Sequence, residues 1–404
     1  MNIKKLKDSL KYQQTKFEKE LILNPVENAP FPDILEPCNS FLHGLYNTDT
    51  FRDNEGKFHS KIQFSGRDAI TQDIQYIYSE WAHLLNAKRV SMRLLSGLHA
   101  HIVMFMGLTS IGDKVMVLPE KAGGHLSGMA ILKRLGLNIE EIPFNPKEMC
   151  IDKDAFWKRY NAFKPDFIFV DRSEGLIYED FTWMCNSINC YKIFDASQYL
   201  TNIICKDYIN PFDMGFDLII STMHKNLPGP QRAFVASKKA DKNWEQLRSS
   251  ISTYVSNMHV FGIYSAGLLL GHMNELMQLS TLMLKNATLL DQNLEERKVP
   301  IIPRIIIDNN PPTHHCWIHT ETQEQAFNLY LNLEKMGILT NYRLLPYNIG
   351  YGLRLGLSGA TMSGLRPKHI PILSKIISDT YKNGYSIQLH DEAKDLIIKI
   401  KGRR

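Results

Sequence analysis

The sequence predicts an α/β fold, with a large domain on a mostly parallel central sheet flanked by helices and a smaller C-terminal α+β domain. Three observations predict it. Short, strongly apolar runs recur between Asp68 and Pro230: "KVMVLP", "NIEEIPF", "DFIFVD", "KIFDAS" and "DLIIST". Each has the length of a strand buried on both faces. Helical segments separate them, and that alternation marks a parallel sheet, because a crossover must carry the chain back to the same edge before the next strand. Polar residues collect where the runs end, at Ser173, Asp195, Ser221, Thr222, His224 and Lys225. In such a sheet a ligand sits beyond the carboxyl ends of the strands, so these residues form one site candidate.

The elements follow in order. Leu6, Leu10, Phe17 and Leu21 recur near helical spacing and predict an amphipathic helix over about 3–22, suited to packing on a partner subunit. Residues 25–66 are rich in Asn, Pro, Gly, Asp and aromatics and read as an active-site loop system. Together they make an N-terminal segment, 1–66. The large domain spans 67–290. It opens on helical candidates in "AITQDIQYIYSEWAHLL" and "GLHAHIVMFMGLTSI", continues through the strands above, and closes on a helical span from about Asn257 to Glu296. The small domain, 291–404, holds "PRIIID", "HHCWIHT", "AFNLYLNLEKMG" and "YGLRLGLS". No repeat or low-complexity stretch interrupts this order.

Composition narrows the function. The chain has 404 residues and a 44% hydrophobic fraction, enough for a substantial core. No window reaches the ~20 apolar residues of a membrane span. The polar start "MNIKKLKDSLKYQQTKFEKE" has no apolar signal-peptide centre, so the expected compartment is the cytoplasm. The formal charge of +5 is spread along the chain apart from "KIKGRR", which reads as a solvated tail and not as a nucleic-acid site. Six cysteines show no CxxC pair or metal-finger spacing and read as reduced packing thiols. The histidines of "PPTHHCWIHT" lack an acidic partner and ligand spacing, so no metal is expected.

Lys225, in "STMHKNLPGPQRAF", follows a buried strand, and a lysine there needs a reason because desolvation works against its charge. Asp195 ends another strand, "LLSGLHAH" offers a Ser-Gly turn at a helix start, and "AGGHLSG" offers a Gly-Gly-His turn. A phosphate needs backbone N–H groups at a helix N-terminus, a protonated ring nitrogen needs a carboxylate, a flat ring needs a flat partner and an aldehyde needs an amine. Pyridoxal phosphate has all four groups. Ser96 and Gly97 suit its phosphate, His125 its ring face, Asp195 its ring nitrogen and Lys225 its aldehyde.

The segments "ELILNPVEN", "LLSGLHAHIVMFMGLTSIGDKVM", "AGGHLSG", "FDASQYL", "DLIISTMHKNLPGP" and "YGLRLGLSGATMSGL" run in the order seen in serine hydroxymethyltransferase. The chain thus resembles that family of fold-type I pyridoxal-phosphate enzymes over most of its length. The resemblance implies that Lys225 forms the Schiff base, Asp195 holds the pyridinium proton and His125 stacks on the ring. It also implies that Gly97, Thr222 and His224 surround the phosphate or the Schiff base, with Ser96, Ser173 and Gln198 as further cofactor contacts, and that Arg354 grips the substrate carboxylate. A guanidinium suits that task, since its planar fork matches a carboxylate. "HVFGIYSAG" falls where the family's neighbouring subunit reaches the phosphate, which implies a homodimer with shared sites.

The departures bear on the reaction. In "FLHGLYNTDTF" Tyr46 keeps a family tyrosine that serves substrate and catalysis, but Thr48 replaces the glutamate tied to folate chemistry, unless Asp49 substitutes. A second tyrosine position is Phe64, which has no hydrogen to donate. Leu98 stands where a serine would touch the phosphate, and Ser197 and Gln198 are the polar candidates beyond Asp195. Glu120 and Lys121 replace an apolar folate-lining position, with Lys121 suited to an anionic or sugar-like substrate, and Ser363 replaces an arginine. The expectation is a lyase or transferase making or breaking a Cα–Cβ bond of a β-hydroxy amino acid, without folate and with an aldehyde as second partner. The alternatives are a folate-dependent serine hydroxymethyltransferase, an aminotransferase, decarboxylase or racemase, and a non-catalytic relative.

Overall fold

The computed structural model of the chain describes residues 3–48, 64–306, 308 and 310–402. They form two compact units, one of 30–277 with 307–311 and one of 1–29, 278–306 and 312–404. No described helix is long and apolar enough to cross a membrane.

The larger unit is built on a seven-stranded sheet. Its spatial order is Arg89–Leu94, Ala233–Ser237, Leu218–Thr222, Tyr191–Asp195, Phe167–Val170, Lys114–Val117 and Asn138–Glu141. The last five pair in parallel. Ala233–Ser237 runs antiparallel to both its neighbours. The five expected strands are all present, the one in "NIEEIPF" stopping at Glu141 and the one in "KVMVLP" at Val117. Leu218–Thr222 is buried at every position, so one side of the strand faces each layer. On one face, Val117, Phe169, Ile193 and Ile220 pack with Ala100, Met104 and Phe105 of the helix Gly97–Leu108 and with Trp244 and Leu247 of the helix Lys242–Tyr254. Each Val, Ile, Leu, Met or Phe side chain so removed from water contributes about 1.5–3 kcal/mol.

The strands Arg89–Leu94 and Ala233–Ser237 are absent from the reading of the sequence. "RVSMRL" carries two arginines and so shows no clean apolar run, whereas "AFVAS" is apolar over four residues but lies just beyond the alternating pattern, which ends near Pro230. Arg93 is nonetheless buried, with Nη2 donating to the Ser256 carbonyl at 2.7 Å.

The smaller unit has a three-stranded antiparallel sheet ordered His315–His319, Gly350–Gly356, Asn341–Leu345. Leu353, Leu355, Cys316 and Ile318 pack there against the helices Gln323–Lys335, Ile370–Asn383 and Ile387–Lys401. The expected N-terminal helix stops at Glu18. Leu21–Ile22 instead pairs in parallel with Ile338–Leu339, and Leu21 and Leu23 are fully buried in this unit's core. Tertiary burial therefore overrides the helical spacing at Leu21. Residues 1–29 accordingly belong with the C-terminal part, which differs from the expected divisions at 66/67 and 290/291. The helix Ile3–Glu18 buries none of its side chains, and Leu6, Leu10 and Phe17 are exposed.

Candidate active site

The site is assembled at the carboxyl ends of the parallel strands in the larger unit. Asp195 is the last residue of its strand and lies buried. Its Oδ1 accepts the Ser197 N–H at 2.8 Å, and its Oδ2 lies 2.6 Å from Nε2 of His101. Burial works to raise the Asp195 pKa, but the hydrogen bond and charge of His101, with help from Lys225, bring it down to about 2. Asp195 is thus a fixed anion at the sheet edge.

Lys225 follows the neighbouring strand, Leu218–Thr222. Its backbone is anchored one residue on, where Asn226 accepts the Thr201 N–H at 2.7 Å and, through its carbonyl, the Thr201 hydroxyl at 2.7 Å. The Lys225 ammonium is near enough to Asp195, Asp171, His101 and His224 for its charge to bias all four. His224 Nδ1 lies 3.2 Å from the Arg232 carbonyl, so that nitrogen carries the proton and Nε2 keeps a lone pair. Burial and then the Lys225 charge hold the His224 pKa below its ordinary value. A neutral base beside an amine is the result.

A helix start faces these residues. Ser96 caps the helix Gly97–Leu108, its hydroxyl accepting the His99 N–H. A β-carbon on Gly97 would come 2.8 Å from Cγ2 of Thr222, so only glycine lets the helix start and the strand end meet. The Thr222 N–H donates to the Ser197 hydroxyl at 2.9 Å, while its own Oγ1 is buried with no hydrogen-bond partner among the described residues. Bare backbone at a helix N-terminus beside an unmatched hydroxyl fits a phosphate. Leu98 is exposed and offers the phosphate no hydroxyl.

His125 accepts the Ser127 N–H on Nδ1 at 3.2 Å and meets the His101 ring edge-on, with centroids 6.0 Å apart. Ser173 donates to Asp171 at 3.1 Å, and Gln198 is buried three residues beyond Asp195. Lys225, Asp195, His125, Ser96, Gly97, Thr222, Ser173, Gln198 and His224 therefore all sit in one unit.

Tyr46 is exposed and its ring lies 4.9 Å from that of Phe64. Its loop is tied to the turn before the helix Val260–Leu269: Asn47 N–H donates to Asn257, Met258 N–H donates to the Asn47 carbonyl, and His43 stacks on Phe261 at 4.6 Å. Asp49 lies outside the described residues. Arg354 belongs to the smaller unit, where it is buried on Gly350–Gly356 with Nε donating to Asn341 at 3.1 Å. Lys121 pairs with Glu141 at 2.6 Å, because Glu141 ends the adjacent strand. An anionic substrate would have to compete with that carboxylate.

Three residues escape the reading of the sequence. His101 lies inside an apolar helical run, one turn after Gly97, and Asp171 directly follows the strand Phe167–Val170, close to the position Asp195 takes at the end of its own. The shared strand-end position was the available signal for Asp171. Arg232 follows the Gly-Pro turn and is buried, donating to the carbonyls of Met92, Met258 and His259. It binds the strand Arg89–Leu94 to the 257–259 turn.

The sequence profile of the family described as serine hydroxymethyltransferase matches residues 4–377. A serine hydroxymethyltransferase of Archaeoglobus fulgidus is 26% identical over 329 residues, covering 78% of this chain and 74% of its own. One of Staphylothermus marinus is 27% identical over 356 residues, covering 84% and 77%. Among solved structures, an L-threonine transaldolase from Pseudomonas fluorescens, in an internal aldimine state, superposes with a TM-score of 0.88 at 20% identity, covering 98% of this chain and 91% of its own. The match along nearly the whole chain, on a fold whose strand ends carry a lysine, an aspartate and a glycine-led helix start, makes the protein a member of the serine hydroxymethyltransferase family of pyridoxal-phosphate enzymes.

Proposed function

We propose that the enzyme makes or breaks the Cα–Cβ bond of a β-hydroxy amino acid by an aldol route that needs no folate, as a threonine aldolase or transaldolase. The observation that carries this reading is Thr48. It stands where the family's glutamate is expected, its hydroxyl is buried without a partner among the described residues, and a hydroxyl at neutral pH does not do a carboxylate's proton transfer. Phe64, packed on Tyr46, removes a second hydrogen-bonding group from the same place.

When bound, pyridoxal phosphate supplies an aldehyde that condenses with an amine and a ring that takes up electrons released from a Cα bond. Ser96, Gly97 and Thr222 would hold its phosphate, Asp195 its ring nitrogen, His125 its face and Lys225 its aldehyde, with Ser173 and Gln198 lining the ring. Arg354 fixes the carboxylate of the amino acid and so selects which Cα bond is oriented for cleavage. The Nε2 lone pair of His224 accepts the proton of the β-hydroxyl as the Cα–Cβ bond breaks and returns it when an aldehyde is captured. Tyr46 supplies a phenol to the substrate. The solved transaldolase of the same fold is in keeping with this chemistry, and the reading itself rests on the residues.

The test is to incubate the enzyme with threonine or serine, with and without an aldehyde acceptor, and to measure released aldehyde and new β-hydroxy amino acid. Turnover without folate is expected. The second reading, a folate-dependent serine hydroxymethyltransferase, is favoured by the names of the curated relatives. Serine–glycine exchange that appears only with tetrahydrofolate would establish it and sink the first.

A further inference from the structure

Asp195 does not stand alone. His101, Asp171 and Asp195 are each more than nine-tenths buried, and their ligand atoms all lie within 4.8 Å of one another. His101 Nε2 is 2.6 Å from Asp195 Oδ2 and 4.0 Å from Asp171 Oδ2. The Phe169 ring meets the imidazole edge-on at 5.1 Å, so little competes for its proton on that side. Neither His101 Nδ1 nor Asp171 Oδ2 has a hydrogen-bond partner among the described residues.

The charges do not cancel in the usual pairwise way. An imidazolium bonded to Asp195 makes a neutral pair, and a neutral pair attracts a further proton weakly. A second carboxylate facing the same imidazole restores a net negative charge at the sheet edge. We propose that His101 and Asp171 are positioning residues for the cofactor ring: His101 fixes the carboxylate of Asp195, and Asp171 supplies the negative charge that keeps the ring nitrogen protonated. This rests on the reading that Asp195 faces that nitrogen.

The electrostatics of the cluster agree with its geometry. Burial, and then the charge of Asp195, push Asp171 up to about 6. Burial works to lower His101, but its bond to Asp195 and the two carboxylate charges raise it overall. Lys225 opposes as the nearby cation, Ser173 donates to Asp171, Ser197 donates to Asp195, and His125 faces the imidazole edge. The trio is therefore negative above about pH 6 and becomes neutral as Asp171 takes up its proton.

The experiment uses holoenzyme reconstituted with pyridoxal phosphate labelled with nitrogen-15 in the ring, whose resonance reports the ring proton directly. In the unaltered enzyme the resonance should shift as pH falls through about 6. Asp171→Asn should lower the ring-nitrogen pKa by about one unit or more and weaken cofactor binding about tenfold. His101→Asn in addition should restore both, since a neutral donor leaves the charge of Asp195 uncancelled. A cofactor analogue with carbon in place of the ring nitrogen should bind Asp171→Asn as well as it binds the unaltered enzyme. The proposal is overturned if Asp171→Asn leaves the ring pKa unchanged, or weakens both cofactors equally, which would be a packing effect. If Asp195→Asn discriminates between the two cofactors as the unaltered enzyme does, the placement of Asp195 itself is wrong. That outcome is separate from the first two.

Discussion

Gly97 and Thr222 meet with room only for a hydrogen: a β-carbon on the glycine would stand 2.8 Å from Cγ2 of the threonine. The contact brings the first residue of a helix against the last residue of a strand, and it holds the unmatched Thr222 hydroxyl beside bare helix N–H groups. Gly97→Ala should therefore displace Thr222 and weaken pyridoxal phosphate binding about tenfold, roughly the loss of one charge-assisted hydrogen bond. Thr222→Ser removes Cγ2 and keeps the hydroxyl, so the double variant should regain most of the affinity. Titration of each apo-enzyme with cofactor, followed by absorbance, checks both.

Arg354 is buried and held in place by Asn341, whose side-chain oxygen accepts from Nε at 3.1 Å. Arg354→Lys keeps the charge and loses the planar fork. It should reduce kcat/KM for the amino acid about ten- to a hundredfold, with the cofactor spectrum unchanged. Asn341→Ala should give a smaller loss in the same parameter. Steady-state kinetics on both variants decides whether Arg354 serves the substrate.

His314 introduces acid sensitivity in the smaller unit. It is fully buried, and neither ring nitrogen has a hydrogen-bond partner among the described residues. Burial first, then the charges of Arg304 and Arg354, lower its pKa to about 3. The unfolded chain takes up this proton below about 6.5 and the folded chain does not, so acidification through the window from about 6.5 to about 3 favours unfolding. The slope for this one group is at most about 1.4 kcal/mol per pH unit. His314→Gln should remove that share, so the gap in Tm between pH 7 and pH 5 should be smaller in the variant than in the parent.

How much of this the sequence shows depends on whether a residue's signal is local. Most of the five parallel strands are legible because they are nearly continuous apolar runs, Asp195 and Lys225 because they stand at or just after the end of one, and Gly97 because it forms a Ser-Gly turn at a helix start. Arg89–Leu94 and Ala233–Ser237 are hidden because their stability comes from pairing with each other and with Leu218–Thr222, which is a long-range property. His101 is hidden for a similar reason. Within its helix it looks like one more core residue, and its chemistry appears only when Asp195 and Asp171 arrive from strands far along the chain. The end of the N-terminal helix at Glu18 likewise depends on the pairing of Leu21–Ile22 with Ile338–Leu339.

Tyr46 raises a question of ownership between subunits. Its contacts run to Phe64 and, through Asn47 and His43, to Asn257, Met258 and Phe261, so the loop is fastened to residues 257–261. Resemblance to the family implies that "HVFGIYSAG", which begins at His259 in this stretch, reaches the neighbouring subunit's phosphate. If the turn serves the neighbour, the phenol bound to it serves the neighbour too. Lys225→Ala and Tyr46→Phe homodimers should then each lose most activity, while a mixture refolded together should recover up to about a quarter of the parent activity. In the mixed dimer one site receives both defects and the other neither, and mixed dimers make up about half of a random assembly. Sedimentation tests for the dimer that this exchange requires, and in a dimer a mixture that stays as inactive as its parents would assign Tyr46 to its own subunit's site.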